Sequence, residues 1–272
     1  MEEFFQTISH YFIACASSGL PLHAFTLLCS NLPPESEIST GLVMGVDLVL
    51  RNEIPVKFHA HRCILMDHRG KPVILVIGGY GELAKGRGKA SLPSLFDMEG
   101  RRLSFTLEGG VEASLQRLFY AAFLIGERIL LFGGRASPLR PSSQVTLLSL
   151  RDDGVLSVED VPCSGDVPLP CWRFAAALCR GGDHLFIHGG LTSVPVVNTR
   201  SYSLDLHKWV WSEVTLRGDL CGPRMCHTLS EYEGRLYMFG GLDEYHTVLS
   251  DLFEIDLSTN HIRKLPTCLH AR

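Results

Sequence analysis

Paired cysteine motifs, long apolar runs and an excess of either charge are all missing from this 272-residue sequence. Nine cysteines lie scattered between Cys15 and Cys268, and no two form a Cys-x-x-Cys pair. Structural zinc sites need ligands paired at turn spacing, so no metal site is expected. An odd count also argues against the disulfide framework of a secreted scaffold, and the thiols are expected to be reduced, mostly buried and apolar in behaviour, as in a cytoplasmic protein. No stretch approaches the roughly 18 to 20 apolar residues that span a bilayer, which excludes a transmembrane reading. The start, Met1-Glu2-Glu3, is acidic where a secretory signal requires a basic segment. With 25 Lys+Arg against 29 Asp+Glu, the chain has no general attraction for phosphate, and any nucleic-acid contact must come from a local patch. Disorder is excluded by the opposite balance, 46% hydrophobic against 20% charged residues.

What the sequence does contain is glycine, 26 residues of it, without the strict third-residue period of collagen. Eight of these form four doublets, each ending an apolar run: Gly78-Gly79, Gly133-Gly134, Gly189-Gly190 and Gly240-Gly241. Their first glycines are 55, 56 and 51 residues apart. Sixteen positions before the last three stand Arg117, Arg173 and Arg224, so two features share one period.

Within a unit, a small and apolar first strand such as Ala175-Ala176-Ala177-Leu178 leads through a glycine turn into the strand that ends at the doublet. An alternating third strand, Ser201 to Leu206, and a short fourth one, Trp209-Val210-Trp211, complete the unit. Each unit therefore reads as a four-stranded antiparallel meander that must stack on copies of itself around an axis. The glycine pairs suit inner strands that converge where a β-carbon finds no room. The fold class expected is all-β: about four blades of a β-propeller. The doublets with the downstream Trp209 resemble the kelch repeat, although the tryptophan is missing after Gly78 and Gly133 and Ile262 stands in its place in the last unit.

The two ends break the pattern. Arg272 lies 48 residues after Arg224, so the chain stops where a fifth hairpin is expected, and the propeller reads as incomplete, with open strand edges and apolar blade faces. Residues 1–30 do not follow the repeat. They read as a short helix followed by strands Tyr11 to Cys15 and Ala24 to Leu28, a remnant of an α/β domain, joined by a linker over 31–57 to the repeats of 58–272. The stretch Ser9-His10-Tyr11-Phe12-Ile13-Ala14-Cys15-Ala16-Ser17-Ser18-Gly19, followed by repeats of which one opens Cys171-Trp172-Arg173, resembles the leucine carboxyl methyltransferase-like family that synthesises wybutosine in tRNA and carries a C-terminal kelch propeller.

That resemblance implies an S-adenosylmethionine-dependent methyltransferase acting on the modified guanosine at position 37 of phenylalanine tRNA, with the propeller beside the tRNA-facing cleft. It also implies that residues 1–30 are the end of a catalytic domain whose cofactor motifs are missing here. No cofactor is expected to bind this chain and no catalytic residue is assigned. The loop Gly78-Gly79-Tyr80-Gly81 is already accounted for by the repeat and fits neither G-x-G-x-x-G nor the P-loop spacing. His59, His61 and His68 have no carboxylate or cysteine at ligand spacing. Cys226 and His227 are neighbours that point to opposite faces of a strand.

The candidate contacts are Lys85, Arg87 and Lys89, flexible cations suited to tRNA phosphates but diluted by Glu82, Asp97 and Glu99. The expected function is docking, with phenylalanine tRNA or the missing methyltransferase domain as partner. The alternative is a kelch scaffold that presents its loops to a protein partner.

Overall fold

A computed structural model describes residues 58–83, 86–90, 92–108, 115–137, 140–192 and 196–266. The expected domain remnant at 1–30 and linker at 31–57 lie outside the described residues, as does Lys85.

The four units form four blades, each with its strands in chain order from the axis outward. Blade one runs Arg62–His68, Lys71–Ile77, Ser94–Asp97 and Arg102–Leu103. Blade two runs Ala121–Ile125, Arg128–Phe132, Val145–Leu150 and Val155–Val161. Ala175–Cys179, His184–His188, Ser201–Asp205 and Val210–Val214 make blade three, and Thr228–Tyr232, Arg235–Leu242, Val248–Asp256 and His261–Leu265 make blade four. Every neighbouring pair among these is antiparallel, as the meander requires. Blades two, three and four add a fifth, parallel strand of two residues on the outside, where the chain crosses over from the preceding blade: Thr106–Leu107, Ser164–Gly165 and Arg217–Gly218.

Alternation along each strand sends one row of side chains to each neighbouring blade. Ile64, Val73, Leu75 and Ile77 meet Leu115, Tyr120, Ile129 and Leu131 between blades one and two. Phe132, Leu147, Leu185, Leu204 and Trp211 fill the next interface, and Phe186, Leu236, Met238, Phe253 and Ile262 the third. The tryptophan that packs this core is Trp211, only 1% exposed and paired with Leu204, the position Ile262 takes in blade four opposite Ile255. Trp209, matched to the kelch tryptophan on sequence, instead sits in the preceding turn with φ 57°, the conformation of Asn260 in blade four. On the outer face of blade one Leu65 is 58% exposed, whereas Cys63 and Phe96 of the same row are buried. Blade four differs: the side chains alternating with its core row are Arg235, Tyr237, Glu254 and Arg263, joined by Arg235–Glu254 and Arg263–Glu254 ion pairs.

The glycine doublets hold the blades together. Phe174 presses its Cε1 to within 2.7 Å of where a Cβ on Gly133 would stand, and its own backbone N lies 2.7 Å from such a carbon on Gly190, the second glycine of its own blade. Both glycines have positive φ, 67° and 85°. Tyr120 and His227 repeat this arrangement against Gly78 with Gly134 and against Gly189 with Gly241. The first glycines are thus obstructed by the approach to the next blade, by the Phe174 ring at Gly133 and at Gly78 and Gly189 by the Arg117 and Arg224 carbonyls, 2.5 Å from such a carbon, with the Tyr120 and His227 rings at 3.2 and 2.9 Å. Second-glycine amides then donate across the interface, Gly134 to the Cys171 carbonyl and Gly190 to the Arg224 carbonyl, both at 2.9 Å.

Candidate anion-docking site

The hairpin turns decide where the repeated arginines end up. Blades two and four turn through two residues, Gly126-Glu127 and Glu233-Gly234, whereas blade three turns through four, Arg180 to Asp183. Counting back from each doublet along the paired strands therefore makes Arg117, Cys171 and Arg224 equivalent, and sets Arg173 with Phe119 and Cys226. The backbone agrees, since Phe119, Arg173 and Cys226 share φ of 57–58°. The shared 16-residue spacing hides a two-residue offset, and Arg173 does not have the role of the other two.

Arg117 and Arg224 are buried structural residues. Arg224, 1% exposed, donates to both carboxylate oxygens of Asp251 at 2.8 and 3.1 Å and to the Gly240 carbonyl at 3.2 Å. Arg117 donates to the Gln144 side chain at 3.1 Å and to Thr146 Oγ1 at 2.9 Å. Each ties the end of a doublet strand to the third strand of its blade.

Arg173 goes elsewhere. Its amide donates to the Phe119 carbonyl of blade two at 3.2 Å, and its carbonyl accepts from the Cys226 amide of blade four at 2.8 Å. Its guanidinium lies 4.8 Å from the Phe119 ring centre and 4.7 Å from that of Trp172. A second cation joins it: Arg135, immediately after Gly133-Gly134, stacks 3.7 Å from the Trp172 ring centre. The Phe119 and Trp172 rings are 5.7 Å apart. Two guanidiniums therefore share two aromatic rings at the doublet end of the blade-two to blade-three interface. Among the described residues neither has an ion-pair or hydrogen-bond partner, and both Nε atoms are buried and unsatisfied. Burial, and the charge of Arg173 beside it, lower the Arg135 pKa.

Like charges placed together in partial burial, with donors unspent, form a preorganised receptor for an anion. The aromatic faces already carry guanidinium groups, so the free edges of the arginines, rather than the rings, face a ligand. Of the sequence-predicted contacts, Lys89 lies next to this cluster. Its strand Gly86–Lys89 pairs with Tyr80–Leu83, and its ammonium donates to the carbonyl of Ala136, the residue after Arg135. Arg87 lies on the same ribbon, opposite Glu82 in the register. This segment is a β-ribbon where a loop was expected. Phe119 and Arg135 were not singled out on sequence, and Trp172 only within the Cys171-Trp172-Arg173 opening. The signal was a cation directly after a doublet, where the other units have Tyr80, Leu191 and Leu242.

The remaining chemical candidates form no reactive centre. Cys221 Sγ is 3.7 Å from His188 Nε2, whose Nδ1 is 2.8 Å from Ser201 Oγ, an order reminiscent of a thiol, base and orienting hydroxyl. Burial pushes the Cys221 thiol up to about 11 and the His188 imidazole down to about 4, so both are neutral and the thiol is not activated. Cys171 is pushed up to about 12 by burial. Among the described residues Cys63, Cys171 and Cys179 are buried and Cys226 is exposed. No three His, Cys, Asp or Glu side chains among the described residues are placed to hold a metal ion.

Comparison with known proteins agrees with this architecture. The chain is 26% identical over 262 residues to human tRNA wybutosine-synthesizing protein 4, covering 89% of this chain and 37% of that protein. The rat protein of the same name is 24% identical over 279 residues, 93% of this chain and 39% of its own length. The chain thus spans well under half of these relatives. Dynein regulatory complex subunit 7 of Chlamydomonas reinhardtii is 34% identical over 117 residues, 43% of this chain and 10% of that protein. A family model described as the KLHDC2/KLHL20/DRC7 Kelch-repeats domain matches residues 119–271. With its doublets, blade order and inter-blade aromatics in place, the chain belongs to this kelch-repeat family.

Proposed function

We propose that this chain is a docking propeller in wybutosine synthesis. It holds phenylalanine tRNA, or the methyltransferase domain that acts on it, through the cationic doublet end of blades one to three. Catalysis and S-adenosylmethionine belong to a methyltransferase domain, and the propeller contributes position. The process is cytoplasmic in this reading. The observation that carries it is the pair Arg135 and Arg173, without an ion-pair partner among the described residues and stacked on Phe119 and Trp172. Resemblance to wybutosine-synthesizing proteins along nearly the whole chain supports the choice of ligand.

Guanidinium edges suit phosphate oxygens, which fix the register of a nucleic acid without reading its sequence. Lys89, on the ribbon that also carries Arg87, extends the cationic surface towards blade one, and Lys85 is proposed as a further phosphate contact. Each phosphate neutralised steepens the salt dependence by about 0.7 to 0.9 in log–log slope. Titrating phenylalanine tRNA at several salt concentrations is therefore expected to give a slope of about −2 or steeper. Salt-independent or undetectable binding would overturn the tRNA reading, and tight S-adenosylmethionine binding by this chain would overturn the division of labour.

A protein partner is the second reading, favoured by apolar side chains exposed on loops of the same end: Leu220 at 96% and Tyr245 at 80%. A polypeptide captured through this end with no effect of salt would select it.

A further inference from the structure

Two histidines meet at one interface, His188 where the other blades carry apolar side chains and His227 at a position held by Tyr120, Phe174 and, in blade one, His61. His188 takes the position before the doublet occupied by Ile77, Phe132 and Phe239. His227 takes the inter-blade position of Tyr120 and Phe174, its Cε1 2.9 Å from where a Cβ on Gly189 would stand. Their rings are 5.4 Å apart, edge to face, and both are buried between blades three and four.

The groups around them offer a proton no free countercharge. From blade three come Ser201, whose Oγ is 2.8 Å from His188 Nδ1, and the backbone of Gly189. From the approach to blade four come Cys221, 3.7 Å from His188 Nε2, and Arg224, a fixed positive charge. The carboxylate next to Arg224, Asp251, is bound to both guanidinium nitrogens. Neither nitrogen of His227 has a hydrogen-bond partner among the described residues. Charging either ring puts a cation beside Arg224 in a buried interface, with no acid in contact among the described residues.

We propose that the interface between blades three and four is an acid-released latch, closed while His188 and His227 are neutral and opened when they take up protons. Opening breaks two inter-blade bonds, Gly190 N–H to the Arg224 carbonyl and Cys226 N–H to the Arg173 carbonyl. The bonds across the interface between blades two and three, Gly134 N–H to the Cys171 carbonyl and Arg173 N–H to the Phe119 carbonyl, are kept.

The sign follows from linkage. Burial depresses the His188 pKa from 6.5 to about 4 in the closed form. The opened form therefore binds more protons between those values, and the closed form is favoured above pH 6.5 and loses that advantage as pH falls towards 4. His188 alone shifts the opening equilibrium by roughly a hundredfold between pH 7 and pH 4. His227, whose pKa burial also lowers, adds to it in the same direction.

Hydrogen exchange on the whole chain, corrected for intrinsic rates, tests the latch. The reporters are the amides of Gly190 and Cys226, and the controls are those of Gly134 and Arg173, which cross the interface between blades two and three. Protection of the reporters is expected to fall about a hundredfold or more from pH 7 to pH 4 while the controls hold. The double variant His188→Phe, His227→Phe copies Phe132 and Phe174 and is expected to abolish that difference. Should it fail to fold, His227→Tyr, which copies Tyr120, is expected to reduce the loss. Reporters that keep their protection at pH 4, or that fall together with the controls, overturn the proposal, as does an unchanged acid response in the folded variant.

Discussion

Replacing Arg224 with methionine keeps the buried aliphatic stem and removes the guanidinium. Asp251 loses two charge-assisted bonds, at 2.8 and 3.1 Å, and the Gly240 carbonyl loses its bond at 3.2 Å. Breaking a buried pair by deleting one partner costs about 3 to 5 kcal/mol, and the partial access of Asp251 to solvent puts this case near the lower end. At about 2 to 4 °C per kcal/mol for a chain of this size, Tm is expected to drop by about 6 to 12 °C. Arg173→Met removes no side-chain hydrogen bond among the described residues. The lost cation–π contacts, worth about 0.5 to 1 kcal/mol each, are offset by relief of repulsion with Arg135, so Tm is expected to move by about 3 °C or less. Thermal unfolding followed by circular dichroism separates the two. Equal losses would refute the offset created by the longer hairpin turn, and with it the assignment of Arg173 to the docking site.

Further outcomes follow from the same geometry. Gly190→Ala places a Cβ 2.7 Å from the Phe174 amide nitrogen at φ 85°, and is expected to cost about 3 kcal/mol or more, whereas Gly126→Ala meets no atom within 4 Å and is expected to cost only the left-handed backbone penalty of about 1 to 2 kcal/mol; urea unfolding compares them. Tyr120→Phe removes the 2.6 Å bond to the Ile77 carbonyl between blades one and two and is expected to destabilise by about 1 to 2 kcal/mol in the same assay. Trp211→Ala empties the core between blades two and three, where the ring lies 4.8 Å from Phe132, and is expected to cost about 3 to 5 kcal/mol and to raise binding of a hydrophobic dye.

The propeller was legible because two local rules repeat at one period: an apolar run closed by a glycine doublet, and a hairpin before it. Both are set by residues adjacent in sequence. What failed was linear counting across an insertion. The extra residues in the Arg180 to Asp183 turn moved Arg173 out of the structural arginine position while keeping its distance from Gly189, and put Cys171 in that position. Trp209 and Trp211 were confused for a related reason, since both flank the same turn and only pairing to Leu204 shows which one enters the core. The docking cluster was illegible because its four side chains come from three separated segments around residues 119, 135 and 172–173, brought together by blade stacking. Lys89 was found by its charge alone, and its position beside Ala136 depends on the ribbon Tyr80–Lys89 folding back towards blade two.

The most direct test of the docking account is the affinity for phenylalanine tRNA of the double variant Arg135→Ala, Arg173→Ala against the unaltered chain, measured across a salt series. Loss of two phosphate contacts is expected to weaken binding about tenfold or more at low salt and to make the log–log salt slope shallower by about 1.4 to 1.8. A folded double variant with unchanged affinity and slope would contradict it.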